Sequence, residues 1–210
     1  MTRSGVILEM FVKTIPYIGV FVGSLFLSLA LTPLVRRMNR ALGMVDKPGG
    51  RRINKAPVPR GGGVAVIVSF VVSLSVFALF SSGPVSPAFS DSVFWKMILL
   101  FMSIGALGFV DDKFGMKPIV KLAGQIALAA LVYFWCGIGF HSTFPGIPWW
   151  LDLPLTVFWI TGAVNAFNLI DGLDGLACGI SAISSVSMVL VLLLSGDVTN
   201  AFITGILAAS

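Results

Sequence analysis

The stretch Asn165-Ala-Phe-Asn-Leu-Ile-Asp-Gly-Leu-Asp-Gly-Leu176 sets two amides and two carboxylates between long apolar runs. Polar atoms buried in lipid cost free energy unless they meet partners, so the stretch marks a functional site inside a hydrophobic chain. Asn165, Asn168, Asp171 and Asp174 recur every third residue. Each step falls about 60° short of a full turn, which winds the set over one side of a helix end. Gly172 and Gly175 permit a backbone break there. Ordinary helix capping accounts for one or two such residues, not for all four.

The surrounding composition sets the solvent. The chain is 57% hydrophobic and 11% charged, with a mean hydropathy of +0.99. Soluble domains carry about 25% charged residues, so this is read as a membrane-spanning protein. Cys136 and Cys178 both lie within apolar runs, which indicates neither a disulfide nor a zinc site. The net charge of +5 is concentrated in one loop between hydrophobic segments. Lipid headgroups and phosphorylated ligands are therefore the expected partners, and nucleic acid is not.

Residues 14–35 form a charge-free run of 22, long enough at about 1.5 Å per residue to cross a core of roughly 30 Å. A cleavable signal peptide is the competing reading, but its apolar region is normally about 7–15 residues long and no small-x-small site follows. Further spans are expected near 64–82, 93–110, 119–138, 152–169 and 176–195, with a seventh beginning near 199. The fold class expected is an all-α polytopic membrane protein with six full transmembrane helices and the start of a seventh, cut off at the C-terminus. Residues 1–210 are expected to form a single, incomplete integral membrane domain.

Orientation follows from the basic residues. The connections near 36–60, 111–118 (extended to Lys121) and 170–175 hold eleven of the fourteen Lys and Arg, leaving only Arg3, Lys13 and Lys96 for the other side. The positive-inside rule makes the first set cytoplasmic and the N-terminus external. All three polar segments then face the cytoplasm, where the active site is expected. The outer connections read as turns, and His141 in the second of them reads as a solvated side chain.

The first polar segment, Asp46 to Gly63, is preceded by Arg36, Arg37 and Arg40; positions 36–60 hold eight basic residues and one acid. Topology and lipid attraction explain part of this charge. Prolines, glycines and forked guanidiniums also suit a shaped loop that grips a phosphate or diphosphate through Lys47, Arg51, Arg52 and Arg60. The second segment holds the adjacent Asp111 and Asp112 at a helix C-terminus, where the macrodipole disfavours negative charge. Lys113, Lys117 and Lys121 are one source of compensation; a divalent cation completed by substrate phosphate is the other. Lys121 and Gln125 follow at i, i+4 on one face of the next helix, with Lys121 either snorkelling to the interface or reaching into the site.

Taken together, Asp-x-Pro-x-x-Arg-Arg and Pro-x-Pro-Arg-Gly-Gly within 46–62, the Asp111-Asp112 pair and Asn165-x-x-Asn168-x-x-Asp171-Gly-x-Asp174-Gly-Leu resemble the polyprenyl-phosphate N-acetylhexosamine-1-phosphate transferases, glycosyltransferase family 4. The first loop is more similar to the undecaprenyl-phosphate N-acetylglucosaminyl branch than to the muramoyl-pentapeptide branch. The resemblance implies transfer of a sugar-1-phosphate from a UDP-sugar to undecaprenyl phosphate, with release of UMP, in a bacterial inner membrane at the start of a cell-envelope glycan such as O-antigen. It implies magnesium, or manganese in its place, with Asn168 as a metal ligand and with Asp111 and Asp112 serving the metal or activation of the acceptor. It further implies catalytic roles for Asp111, Asp112, Asp171 and Asp174. Lys121 and Asn165, from their places beside these acids and amides, are expected to contact substrate. A homodimer stays open. Asn54 stands where the family usually has a histidine, and relatives continue through further spans. Two other readings remain at this point: an ion-coupled transporter, and a non-catalytic fragment that binds lipid phosphate.

Overall fold

The computed structural model describes residues 3–46, 58–80, 89, 91–170 and 176–210. Seven helices fill most of them: α1 (Arg3–Ala41), α2 (Gly63–Phe80), α3 (Ser92–Phe114), α4 (Pro118–Cys136), α5 (Trp149–Ile170), α6 (Leu176–Leu194) and α7 (Val198–Ala209). Their ends follow from single residues. Asp91 accepts from the Val93 N–H at 2.8 Å and opens α3. Gly115 closes α3 at φ 65°, a left-handed turn that leaves its N–H donating to the Asp111 carbonyl. Pro118 then starts α4, where a missing N–H is harmless, and Gly137 ends it at φ 70°.

Five of these helices are long and apolar enough to cross a membrane: Ile18–Ala41 within α1, and α3, α4, α5 and α6. Gly63–Ala78 and Val198–Ala209 are shorter apolar helices at the second and seventh expected spans. Burial is inverted relative to a soluble protein. Leu194, Trp149 and Leu169 are more than four-fifths exposed, whereas Gln125, Asp152, Thr156, Ser24 and Ser69 are buried. An apolar exterior around paired polar groups is what a hydrocarbon solvent selects. The protein is an all-α polytopic membrane protein.

The chain divides into two compact units. The first comprises residues 1–40, 62–90 and 180–210. In it α2 packs on α7, with Phe77 and Phe202 ring centroids 4.3 Å apart. Ser24 and Ser28 of α1 donate to the carbonyls of Ile206 and Ser210. Asp197 caps α7 through the Asn200 N–H. The Asn200 side-chain amide and then its backbone N–H hold the Asp197 carboxyl below its ordinary range, against a smaller opposing push from burial. A folded acid stronger than the unfolded one stabilises above the ordinary carboxylate pKa, and that contribution is lost as pH falls through the folded value. Amide protection in the first turn of α7, taken relative to the intrinsic exchange rate at each pH, is therefore expected to fall below about pH 4. Asp197→Asn should abolish that dependence, and an unchanged profile in the variant would rule out Asp197 as its source.

The second unit, residues 41–61 and 91–179, holds α3, α4 and α5. It also holds a short antiparallel bridge between β1 (Val45–Asp46) and β2 (Val58–Pro59), with Val45 opposite Pro59 and Asp46 opposite Val58. The Arg60 N–H extends the bridge to the Met44 carbonyl at 2.9 Å. Helix α4 packs on both α3 and α5. Gly124 lies against Leu107 of α3, so closely that a Cβ there would stand 3.1 Å from the leucine.

At the far end of α4 and α5 from Asp111, the structure corrects the expectation for His141. Its ring is half exposed, yet Nδ1 lies 2.5 Å from Oδ2 of the buried Asp152, and its backbone N–H donates to Oδ1 at 2.9 Å. Asp152 sits in the first turn of α5, buried, and needs a donor within reach. The reading of a solvated loop histidine missed this because the two residues are eleven apart. His141→Ala is expected to lower the melting temperature in detergent by about 2–4 °C, the shift that suits loss of one such contact in a chain of this length. An unchanged melting temperature would show the pair to be dispensable.

Candidate functional site

Two rungs join α4 to α5 near the Asp111 end of the second unit. In the first, the Lys121 ammonium donates to Asp111 Oδ2 at 2.6 Å and to Asn168 Oδ1 at 3.1 Å. In the second, Asn165 Nδ2 donates to Gln125 Oε1 at 2.7 Å. Lys121 and Gln125 are one helical turn apart on α4, and Asn168 and Asn165 nearly so on α5, so antiparallel helices bring the pairs into register. Gln125 is almost wholly buried at 2% exposure, which makes its bond to Asn165 structural as well as polar.

Asp111 is held at both oxygens. Oδ1 accepts the Met116 N–H at 3.1 Å, and Oδ2 accepts Lys121. The left-handed Gly115 makes this possible by turning the chain so that Met116 faces back along α3. Lys121, at 16% side-chain exposure against 22% for Asp111, is thus the compensating cation expected beside the acid pair. It reaches into the site. Lys113 instead lies over the ring of Phe114, 5.1 Å from its centroid. Asp112 follows Asp111 on the last turn of α3, about 100° further round the helix.

Of the residues singled out from the sequence, Asp111, Lys121 and Asn168 are brought together, Asn165 stands one rung deeper, and Asp112 adjoins them. Arg60 ends the β-bridge in the same unit. Lys47, Arg51, Arg52, Asn54, Asp171 and Asp174 lie outside the described residues. Gln125 as the partner of Asn165 was not foreseen. Its position four residues after Lys121 was the available signal.

Both Asn165 amide hydrogens are engaged, one with Gln125 and the other with the Thr161 carbonyl at 2.8 Å. Beneath the second rung, an apolar groove of about 410 Å³ runs between α4 and α5, lined by Leu122, Ile126, Val157, Phe158, Thr161 and Asn165. It begins one residue from Lys121. Asn165 and Thr161 are its polar lining, so the groove meets the second rung, and its apolar walls suit a hydrocarbon chain.

The donor set suits a hard divalent cation. Asp111 Oδ2 and Asn168 Oδ1 already converge on one positive charge, and magnesium takes one or two carboxylates with other oxygens completing its shell. Among the described residues no group of three His, Cys, Asp or Glu could hold a metal. Asp112, water and phosphate oxygen are further donors that an ion here could take.

Comparison with known proteins adds independent findings. The model of the glycosyl transferase family 4 matches residues 94–210. A probable undecaprenyl-phosphate N-acetylglucosaminyl 1-phosphate transferase of Bacillus subtilis (strain 168) is 32% identical over 211 residues, covering 94% of this chain and 54% of that protein. A phospho-N-acetylmuramoyl-pentapeptide-transferase of Halalkalibacterium halodurans is 31% identical over 206 residues, covering 90% of this chain and 60% of that protein. One from Listeria monocytogenes is 34% identical over 144 residues, covering 60% of this chain and 42% of that protein. The chain spans about half the length of the curated relatives it matches.

Proposed function

This chain belongs to glycosyl transferase family 4, and from that premise we propose that the protein carrying it transfers a sugar-1-phosphate from a UDP-sugar to a polyprenyl phosphate, with N-acetylglucosamine as the sugar. The phosphate of the lipid attacks the phosphorus that bears the sugar. A new P–O bond forms, the bond to the bridging diphosphate oxygen breaks, and UMP leaves. The observation that carries this reading is the convergence of Asp111, Lys121 and Asn168, one rung from an apolar groove that Asn165 helps to line.

A polyprenyl phosphate matches that arrangement. Its tail suits the groove beside Leu122 and Ile126, and its dianionic head would then stand near Lys121. The head is largely ionised near neutral pH, with a second pKa of about 6 by analogy with phosphomonoesters, so strong base catalysis is not required. Positioning and charge stabilisation supply most of the rate in such transfers. Magnesium, when bound by Asp111, Asp112 and Asn168, supplies neutralisation of diphosphate charge. Lys121 holds the Asp111 carboxylate and the Asn168 amide oxygen on one point, and Gln125 with Asn165 keeps α4 and α5 in register beneath them. Lys47, Arg51, Arg52 and Arg60 are proposed to grip the diphosphate, and Asp171 and Asp174 to order the nucleotide-sugar. Orientation follows the basic residues, with this end of the helices cytoplasmic in a bacterial inner membrane.

The test is UMP release from UDP-N-acetylglucosamine with undecaprenyl phosphate by the full-length protein in membranes. Asp112→Asn is expected to reduce the rate by about 10²-fold or more. Wild-type turnover in that variant would discard the assignment of Asp112.

A further inference from the structure

We propose that Lys121 and the divalent cation exchange at one position: the ammonium that bridges Asp111 Oδ2 and Asn168 Oδ1 gives up those oxygens when the metal takes them. The inference rests on the metal reading of the site given above and on no assumption about the sugar.

The geometry leaves little room for both charges. Nζ stands 2.6 Å from Asp111 Oδ2 and 3.1 Å from Asn168 Oδ1. A magnesium ion binds oxygen at about 2.0–2.1 Å, so an ion sharing these two atoms would press directly on the ammonium. The acid cannot turn to offer its other oxygen without breaking the bond from the Met116 N–H. On the Asp111 side the surround screens the repulsion poorly, because Lys121 and Asp111 are only 16% and 22% exposed, while Asn168 stands at the exposed edge. The element able to move is the lysine, a point charge on four flexible methylenes.

Exchange has consequences that a fixed structural ion pair lacks. Lys121 acts as a positioning residue that keeps the two oxygens converged and prevents the carboxylate from collapsing onto another cation. It also lowers the apparent affinity for the metal, since the ion must displace a tethered competitor. Linkage makes the coupling reciprocal: whatever factor Lys121 subtracts from metal affinity, metal subtracts from the hold on Lys121. A freed ammonium is then available to the phosphate arriving beside it.

Two measurements with Mn²⁺ alone test this on the purified protein in detergent. Lys121→Met is expected to bind Mn²⁺ about tenfold more tightly by titration calorimetry. Lys117→Met, at an exposed lysine preceding α4, serves as the control for general loss of charge and is expected to change affinity much less. In the wild type, acetylation of Lys121 followed by peptide mass spectrometry is expected to quicken several-fold on adding Mn²⁺. This second readout needs no variant to fold. If Mn²⁺ binds while Lys121 labelling stays constant, the exchange is overturned and the metal reading survives. Equal tightening in the Lys117 and Lys121 variants also overturns it, because bulk charge would then explain the affinity. If no Mn²⁺ binds to the wild type, both the exchange and the metal reading fall.

Discussion

Asp111→Asn is expected to lower sugar-phosphate transfer by about 10²–10³-fold, the cost usual for removing one electrostatic contact from a phosphoryl- or acyl-transfer site. The substitution is nearly isosteric, and its Oδ1 can still accept the Met116 N–H that Asp111 accepts at 3.1 Å. What changes is the other atom. An amide nitrogen would face the Lys121 ammonium at the 2.6 Å now spanned by a charged hydrogen bond, donor against donor, with a largely buried cation left without its anion. Lys121 must then leave Asn168 or pull it out of place. Asp111→Glu keeps the charge but moves it by a methylene, so an intermediate rate is expected. Steady-state UMP release separates the cases. Wild-type turnover in Asp111→Asn would remove the acid from the chemistry and, with it, the site proposed around Lys121.

The membrane fold was legible in the sequence because hydrocarbon imposes long uninterrupted apolar runs, and α3 to α6 lie within a few residues of where those runs place them. Asp111 with a nearby lysine was legible too, since two adjacent acids at a helix C-terminus demand a cation. Which lysine answers was not. Lys113, Lys117 and Lys121 are equivalent by spacing, and only the left-handed turn at Gly115 with the packing of α4 on α5 selects Lys121. Pairings across helices escaped for the same reason. The Asn165–Gln125 contact joins residues 40 apart, and His141–Asp152 depends on a 3₁₀ turn at Phe140–Ser142 that no periodicity announces. Local rules find the charged groups; tertiary register decides who meets whom.

Asn165 offers the sharpest separation of scaffold from chemistry. The sequence reading places it among substrate contacts, whereas both its amide hydrogens are engaged within the protein. Asn165→Leu strands Gln125 at 2% exposure with its acceptor unsatisfied, which is expected to cost about 1–3 kcal/mol of stability. It should also loosen the register that brings Lys121 to Asn168, one turn away. The double variant Asn165→Leu with Gln125→Leu replaces both partners by apolar groups in an apolar surround, a change that is often nearly neutral. Most of the lost stability is therefore expected to return, and turnover should recover to within about tenfold of wild type once register is restored, as a double-mutant cycle would record. A direct substrate contact predicts otherwise. Stability would return while the rate stayed depressed, because no repacking with leucine replaces an amide that touches the substrate. Melting temperature and UMP release measured on the same four proteins distinguish the two: recovery of both makes Asn165 a positioning residue, and recovery of stability alone returns it to the substrate.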